Sequence, residues 1–238
     1  ITALDETARY ISNIYPTIQD GVTLSATDVK IVDIPNGGGK LAYVSYHTND
    51  EAFGAFPYGS IRLFKMDGNL VEEISQATFN NCEFNALEIN DQKVFAVGNN
   101  LVGGRMYVAP TTLFTETPNG TPKNFDDVWS TKTPSLGGKS IAFNNNTLWL
   151  VGGSNGGLYK NELVGGNYNL TATTAPFVTQ TGGKYVSFNN NKQVFFAIND
   201  AGNPYLRIAN ADGTLIDENT DTDITLTNRD GKNAISVD

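Results

Sequence analysis

Apolar and polar residues alternate with the two-residue period of half-buried β-strands along most of the chain. The same series of strands then comes round again. An alternating strand leads into an Asn, Gly or Asp turn. A second, nearly unbroken apolar strand follows, then a Gly-rich or polar loop and a third strand. The clearest copies are Lys139-Ser140-Ile141-Ala142-Phe143-Asn144-Asn145-Asn146 and Lys184-Tyr185-Val186-Ser187-Phe188-Asn189-Asn190-Asn191, which lead into Leu148–Val151 and Val194–Ile198. Aligned by this alternation, the first strands start at residues 30, 85, 140, 185 and 233, in steps of 55, 55, 45 and 48 residues. Steps of this size suit modules of four strands, each a small twisted sheet.

The second strands are Leu41–Ser45, Val94–Val97, Leu148–Val151 and Val194–Ile198. Continuous apolar runs of this kind belong to strands covered on both faces, as when sheets stack on either side. Third strands are expected at Ser60–Phe64, Arg105–Val108, Leu158–Lys160 and Tyr205–Ile208. Weaker, polar fourth strands include Leu70–Ile74 and Tyr168–Thr171. Charge on a fourth strand fits an outer edge that must not pair with other chains. No dozen-residue segment carries a helical stripe, and one short turn within Asp5–Ile14 is the only helical expectation. The fold class is therefore all-β. Modules run at about 28–82, 83–136, 137–181 and 182–230, with 1–27 and 231–238 as partial modules.

The ends bear on the number of modules. Thr23–Lys30 resembles Thr225–Lys232, and Asn233-Ala234-Ile235-Ser236-Val237 opens like another first strand. Two arrangements fit: a closed ring of about five modules whose N-terminal strands complete the last sheet, or a sector of a longer chain. The chain opens at Ile1 without Met, as a processed protein or an excised piece does.

Composition narrows the function classes. Charged residues make up 17% and hydrophobic residues 39%, a balance that argues against disorder. Glycine is abundant, at 24 residues, which suits many tight connections. The formal charge of −9 and the lack of any Lys/Arg run argue against a nucleic-acid partner and against attraction to anionic lipid. No apolar stretch approaches the roughly 18 residues of a membrane-spanning helix. With Cys82 the only cysteine, no intrachain disulfide and no Cys-x-x-Cys metal site can form. Cys82 is expected to pack near the core.

The segment Gly183-Lys184-Tyr185-Val186-Ser187-Phe188-Asn189-Asn190-Asn191 followed by Val194–Ile198 resembles the blades of β-propeller proteins. It is most similar to the secreted or lipid-anchored propellers of Bacteroidetes type with LVIVD-like or YncE-like blades. The likeness extends over roughly residues 23–238. It implies a β-propeller of four-stranded antiparallel blades, about five if closed or a sector of about six to eight. The chain lacks Trp-Asp blade endings, the Asp box of sialidases and the Trp-rich docking motifs of quinoprotein dehydrogenases, which lowers the odds of each activity.

In a propeller, the loops between strands two and three share one face with the loops that lead into each next first strand. Here the first set is 47–59, 98–104, 152–157 and 199–204; the second is 79–83, 133–138, 179–183 and 228–231. The longest, His47–Gly59, carries His47, Asp50, Glu51, Phe53, Phe56 and Tyr58. Rings beside carboxylates suit sugar or peptide recognition, since C–H groups pack on a ring while polar groups fix orientation. The same rings could instead fold over a neighbouring module as a small satellite core.

Asp50, Glu51, Glu83 and Asp200 are the carboxylates on this face that could serve glycoside hydrolysis, although no spacing pairs them. Asp217, Asp221 and Asp223 alternate as calcium ligands can, but lack the Gly and Glu of an EF-hand, and a solvated acidic loop fits as well. No cofactor is otherwise implied. The single His47 has no Gly-x-Ser-x-Gly partner, and Gly152–Gly157 lacks the Lys-Ser/Thr ending of a phosphate loop. The leading expectation is a non-catalytic, extracytoplasmic protein- or glycan-binding accessory module at a bacterial surface. The alternative is a secreted carbohydrate-active enzyme that uses carboxylates in a central funnel.

Overall fold

The computed structural model describes residues 17–19, 22–34, 38–48, 58–67, 70–80, 82–100, 103–112, 131–134, 138–144, 147–152, 157–162, 183–188, 194–200, 203–209 and 224–225. Among the described residues the chain is all-β, with four antiparallel sheets laid out in sequence order. The first holds β1 (Thr17–Gln19), β2 (Val22–Asp33), β3 (Lys40–Thr48), β4 (Tyr58–Asp67) and β5 (Leu70–Asn80). The second holds β6 (Cys82–Asn90), β7 (Lys93–Asn100), β8 (Gly103–Pro110) and β9 (Thr131–Pro134). The third holds β10 (Gly138–Asn144), β11 (Thr147–Gly152) and β12 (Gly157–Glu162). The fourth holds β13 (Gly183–Phe188), β14 (Val194–Asp200), β15 (Asn203–Ala209) and β16 (Ile224–Thr225). Each sheet is a meander in which neighbours in sequence are neighbours in space.

Burial follows the apolar runs. Ala42–Tyr46, Val94–Gly98 and Leu148–Gly152 are buried at every position, so both faces of these second strands are covered. The first sheet presents Val32, Leu41, Tyr43, Ile61, Leu63 and Ile74 to Phe84, Leu87, Ile89, Val94, Ala96, Tyr107 and Ala109 of the second. The second presents Ala86, Phe95, Val97, Met106 and Val108 to Ile141, Phe143, Leu148, Leu150 and Tyr159 of the third. Ala142, Trp149, Val151 and Leu158 of the third meet Val186 and Phe188 of the fourth. The leading strands β2, β6, β10 and β13 touch in turn. The second and third sheets thus each have a rear face toward the preceding sheet and a forward face toward the next.

A register shift falls at the same place in every leading strand. The extra residue is Thr27 in β2, Asn85 in β6, Lys139 in β10 and Lys184 in β13. A β-bulge of this kind bends the strand and re-aims one side chain. It also gives a better alignment of the repeat than alternation does. Asp28, Ala86, Ser140 and Tyr185 become equivalent, followed by Val29, Leu87, Ile141 and Val186. The first copy therefore sits two residues earlier, and the second one residue later, than apolar alternation places them, because alternation cannot see an inserted residue.

Several connections are shorter than expected. Only residue 81 separates β5 from β6, so most of the loop expected at 79–83 is strand. Thr133 and Pro134 belong to β9 rather than to a loop, and His47, Thr48, Tyr58 and Gly59 are strand residues. The first sheet reaches back to Thr17, where β1 pairs with Val22–Leu24, ahead of the module start expected at 28. The expected turn in Asp5–Ile14 and the strand at Tyr168–Thr171 lie outside the described residues. No helix among those described is long and apolar enough to cross a membrane.

Candidate functional site

Two places bring chemically active groups together. The first is the end of the first sheet where β3 gives way to β4. His47 lies opposite Ser25 on β2 and Gly59 on β4. It is partly buried, and its Nδ1 is buried without a hydrogen-bond partner among the described residues. Beside it, Ser45 Oγ lies 2.8 Å from the Oγ1 of the bulged Thr27. On the opposite face of β3, Tyr46 is fully buried, with its hydroxyl without a partner among the described residues and the Arg62 guanidinium 5.5 Å from its ring centre. Arg62 Nη1 donates to Glu73 Oε2 at 3.1 Å, while its Nε has no partner among the described residues. Burial pushes the Tyr46 hydroxyl up to about 12, Arg62 pulling it back and Glu73 adding to the rise. It stays a neutral donor at any physiological pH.

The remaining loop residues divide by what the structure describes. Tyr58 opens β4, paired with Asn80. Asp50, Glu51, Phe53 and Phe56 lie outside the described residues. So do Asp217, Asp221 and Asp223; among the described residues no group of three or more His, Cys, Asp or Glu could hold a metal ion. Cys82 opens β6 opposite Asn100. Asp200 closes β14 opposite Asn203, well along the sequence from Glu83 on β6.

The second place is a charged cluster on the leading strands, which apolar alternation does not reveal. Asp28 Oδ1 accepts from its neighbour Val29 N at 2.8 Å, and Oδ2 accepts from Leu87 N of the second sheet at 3.0 Å. Lys30 Nζ lies 3.1 Å from Glu88 Oε2, and Glu88 Oε1 accepts from Ile89 N at 3.0 Å. Burial lifts the Asp28 carboxyl above its ordinary value, although Lys30 and the Leu87 and Val29 amides pull the other way. Burial likewise lifts Glu88 against the pull of Lys30. Lys30 feels burial as a downward pull, but Glu88 and Asp28 outweigh it and hold the ammonium above its usual value. The two carboxylates therefore stay above normal despite a close cation, because desolvation is the larger effect on each.

Asp28 belongs to a repeated device. At the equivalent position in the third sheet, Ser140 Oγ accepts from Val186 N of the fourth at 3.2 Å. Leu87 and Val186 are themselves equivalent. In both cases a side-chain oxygen just after the bulge satisfies an amide on the next leading strand. The second sheet has Ala86 there, and its bulged Asn85 makes the link instead, donating from Nδ2 to Gly138 O at 3.0 Å. Asn85 Nδ2 also lies 3.3 Å from Glu83 Oε1, which engages the one carboxylate of the expected set whose side chain is described. The sequence signal for the device is a polar side chain one residue (Asp28, Ser140) or two residues (Asn85) before a leading-strand aliphatic, and only the register makes it readable.

No protein-family model matches this chain, and a search of curated proteins finds no match.

Proposed function

We propose that the chain forms a β-propeller of four-stranded antiparallel blades, about five if it closes on itself or a sector of a larger ring. In this reading it is a non-catalytic, extracytoplasmic module that binds a protein or glycan at a bacterial surface through the end bearing His47. The ordered stacking of the sheets, leading strand on leading strand, supports the propeller.

One observation carries the choice of binding over hydrolysis. Both oxygens of Asp28 and both of Glu88 already accept a hydrogen bond or an ion-pair contact that ties backbone or sheets together. Each oxygen can accept more than one hydrogen bond, but all four are engaged in structural contacts, which favours a structural over a catalytic role for both groups. At the end of the first sheet, by contrast, His47 Nδ1 is buried without a hydrogen-bond partner among the described residues.

The test is an array of surface oligosaccharides and peptides probed with the purified chain. Binding that is lost in His47→Ala and in Phe53→Ala/Phe56→Ala/Tyr58→Ala, with melting temperature unchanged, supports the reading. Loss of melting temperature with binding intact would assign those rings to a satellite core. Glycan cleavage abolished by Asp28→Asn or Glu88→Gln would instead establish the hydrolase.

A further inference from the structure

Two hydrogen-bond donors from neighbouring strands are buried together on the face of the first sheet turned away from the second. Neither has an acceptor among the described residues. Tyr46 on β3 is 0% exposed, and its hydroxyl is one of them. The Arg62 side chain on β4 is 11% exposed, and its Nε–H is the other. Tyr46 lies directly opposite Ser60 in the register, and Arg62 is the next β4 residue on the same face. The Arg62 guanidinium sits 5.5 Å from the centre of the Tyr46 ring. Ser60 is also 0% exposed, and Leu24, Ala42, Val44 and Phe64 share the buried cluster with Tyr46, so the polar groups are walled in rather than solvated.

A buried donor without an acceptor forfeits the hydrogen bonds it made to water, and native structures rarely leave one so. The acceptor here must be small and neutral. An arginine Nε–H can only donate. The Arg62 charge is already met by Glu73 Oε2, 3.1 Å from Nη1, and an added anion would stand beside that carboxylate in a desolvated site. We propose that this face holds a water site, in which one buried water accepts from the Tyr46 hydroxyl and from Arg62 Nε. A water has two lone pairs for the two donors and two protons of its own to give to nearby oxygens. It locks the guanidinium in the orientation that serves Glu73 and so ties β3, β4 and β5 together beside the end that bears His47.

Tyr46→Phe and Arg62→Lys, singly and together, test the site. Lysine keeps a charge for Glu73 but has no Nε donor. A crystal structure of the full chain should show a water within hydrogen-bonding distance of both donors. Deuteron relaxation dispersion should count one long-lived water fewer in Tyr46→Phe. Each single variant should lower the urea midpoint, and the double should lower it by less than the sum, because the two donors share one acceptor. An unchanged or higher midpoint in Tyr46→Phe would mean that the hydroxyl has no partner to lose, and strict additivity would mean that no partner is shared; either overturns the proposal. So does a protein oxygen in the place of the water, an unchanged water count, or a peak that bromide replaces, which would give the site to an anion. If Arg62→Lys fails to fold, Tyr46→Phe, which removes a single oxygen, carries the relaxation and stability measurements alone.

Discussion

Replacing Ser140 with Ala removes one hydroxyl from between the third and fourth sheets and nothing else. Ser140 is 2% exposed, and its Oγ is the acceptor for Val186 N at 3.2 Å in a buried setting. The lost atom leaves almost no cavity, so the cost is that of stranding a buried amide, about 1–3 kcal/mol. For a chain of this size each kcal/mol moves the melting temperature by about 2–4 °C, which gives a fall of about 2–12 °C. The assay is thermal and urea unfolding, paired with hydrogen exchange at the Val186 amide. That amide should lose protection while Leu87, held by Asp28, keeps its own. The same logic predicts that Asp28→Ser, which retains an oxygen, costs less than Asp28→Ala. It also predicts that Ala86→Ser adds an acceptor toward Ile141 N at little or no cost. A Ser140→Ala variant with unchanged stability and unchanged Val186 exchange refutes the account of the repeated link.

Three further outcomes follow from other contacts. Gly138→Ala should destabilise by about 1–3 kcal/mol in urea unfolding, because a Cβ there would overlap the Val97 side chain and come within 2.9 Å of Leu150 Cδ1. Asp91 and Gln92 turn the β6–β7 hairpin with φ of 45° and 57°, so Gln92→Gly should relieve left-handed strain and raise stability by roughly 0.5–1 kcal/mol; an unchanged or lower urea midpoint would count against it. Asp28 and Glu88 both titrate above their ordinary values. The folded chain therefore binds more protons than the unfolded chain from the ordinary carboxylate range up to the raised values. Their contribution to stability is present at the acid end of that window and is lost as pH rises through the folded values. Urea midpoints across it should show a shallower loss for Asp28→Asn/Glu88→Gln, and an unaltered slope would refute the assignment.

The sheets were legible because burial on both faces writes an unbroken apolar run, and Leu148–Val151 could hardly be anything but a covered strand. The links between sheets were not. A bulge adds a residue without disturbing apolar content, so Thr27 and Asn85 look like ordinary members of an alternating strand. Asp28 reads as a polar residue before a strand until the register sets it against Leu87. Lys30 and Glu88 likewise look like solvent-facing charges, because alternation locates a face but not what stands opposite it. The candidate site was half legible. The mixture of His47 with rings and carboxylates marks the 47–59 segment, but the buried orientation of His47 Nδ1 depends on the pairing of β3 with β2 and β4. Tyr46 and Arg62, on the other face of the same sheet, carried no signal beyond being a Tyr and an Arg in apolar strands.

Each of the three inter-sheet hydrophobic clusters is shared by two consecutive sheets. Energy in such a series is held at the joints, and each joint depends only on the pair it unites. Pulled from its ends, the molecule would give way as a chain of couplings does, one joint per event, in a sawtooth rather than a single rupture. The order of those ruptures would rank the joints, with the Asp28, Asn85 and Ser140 links as the catches that set each force.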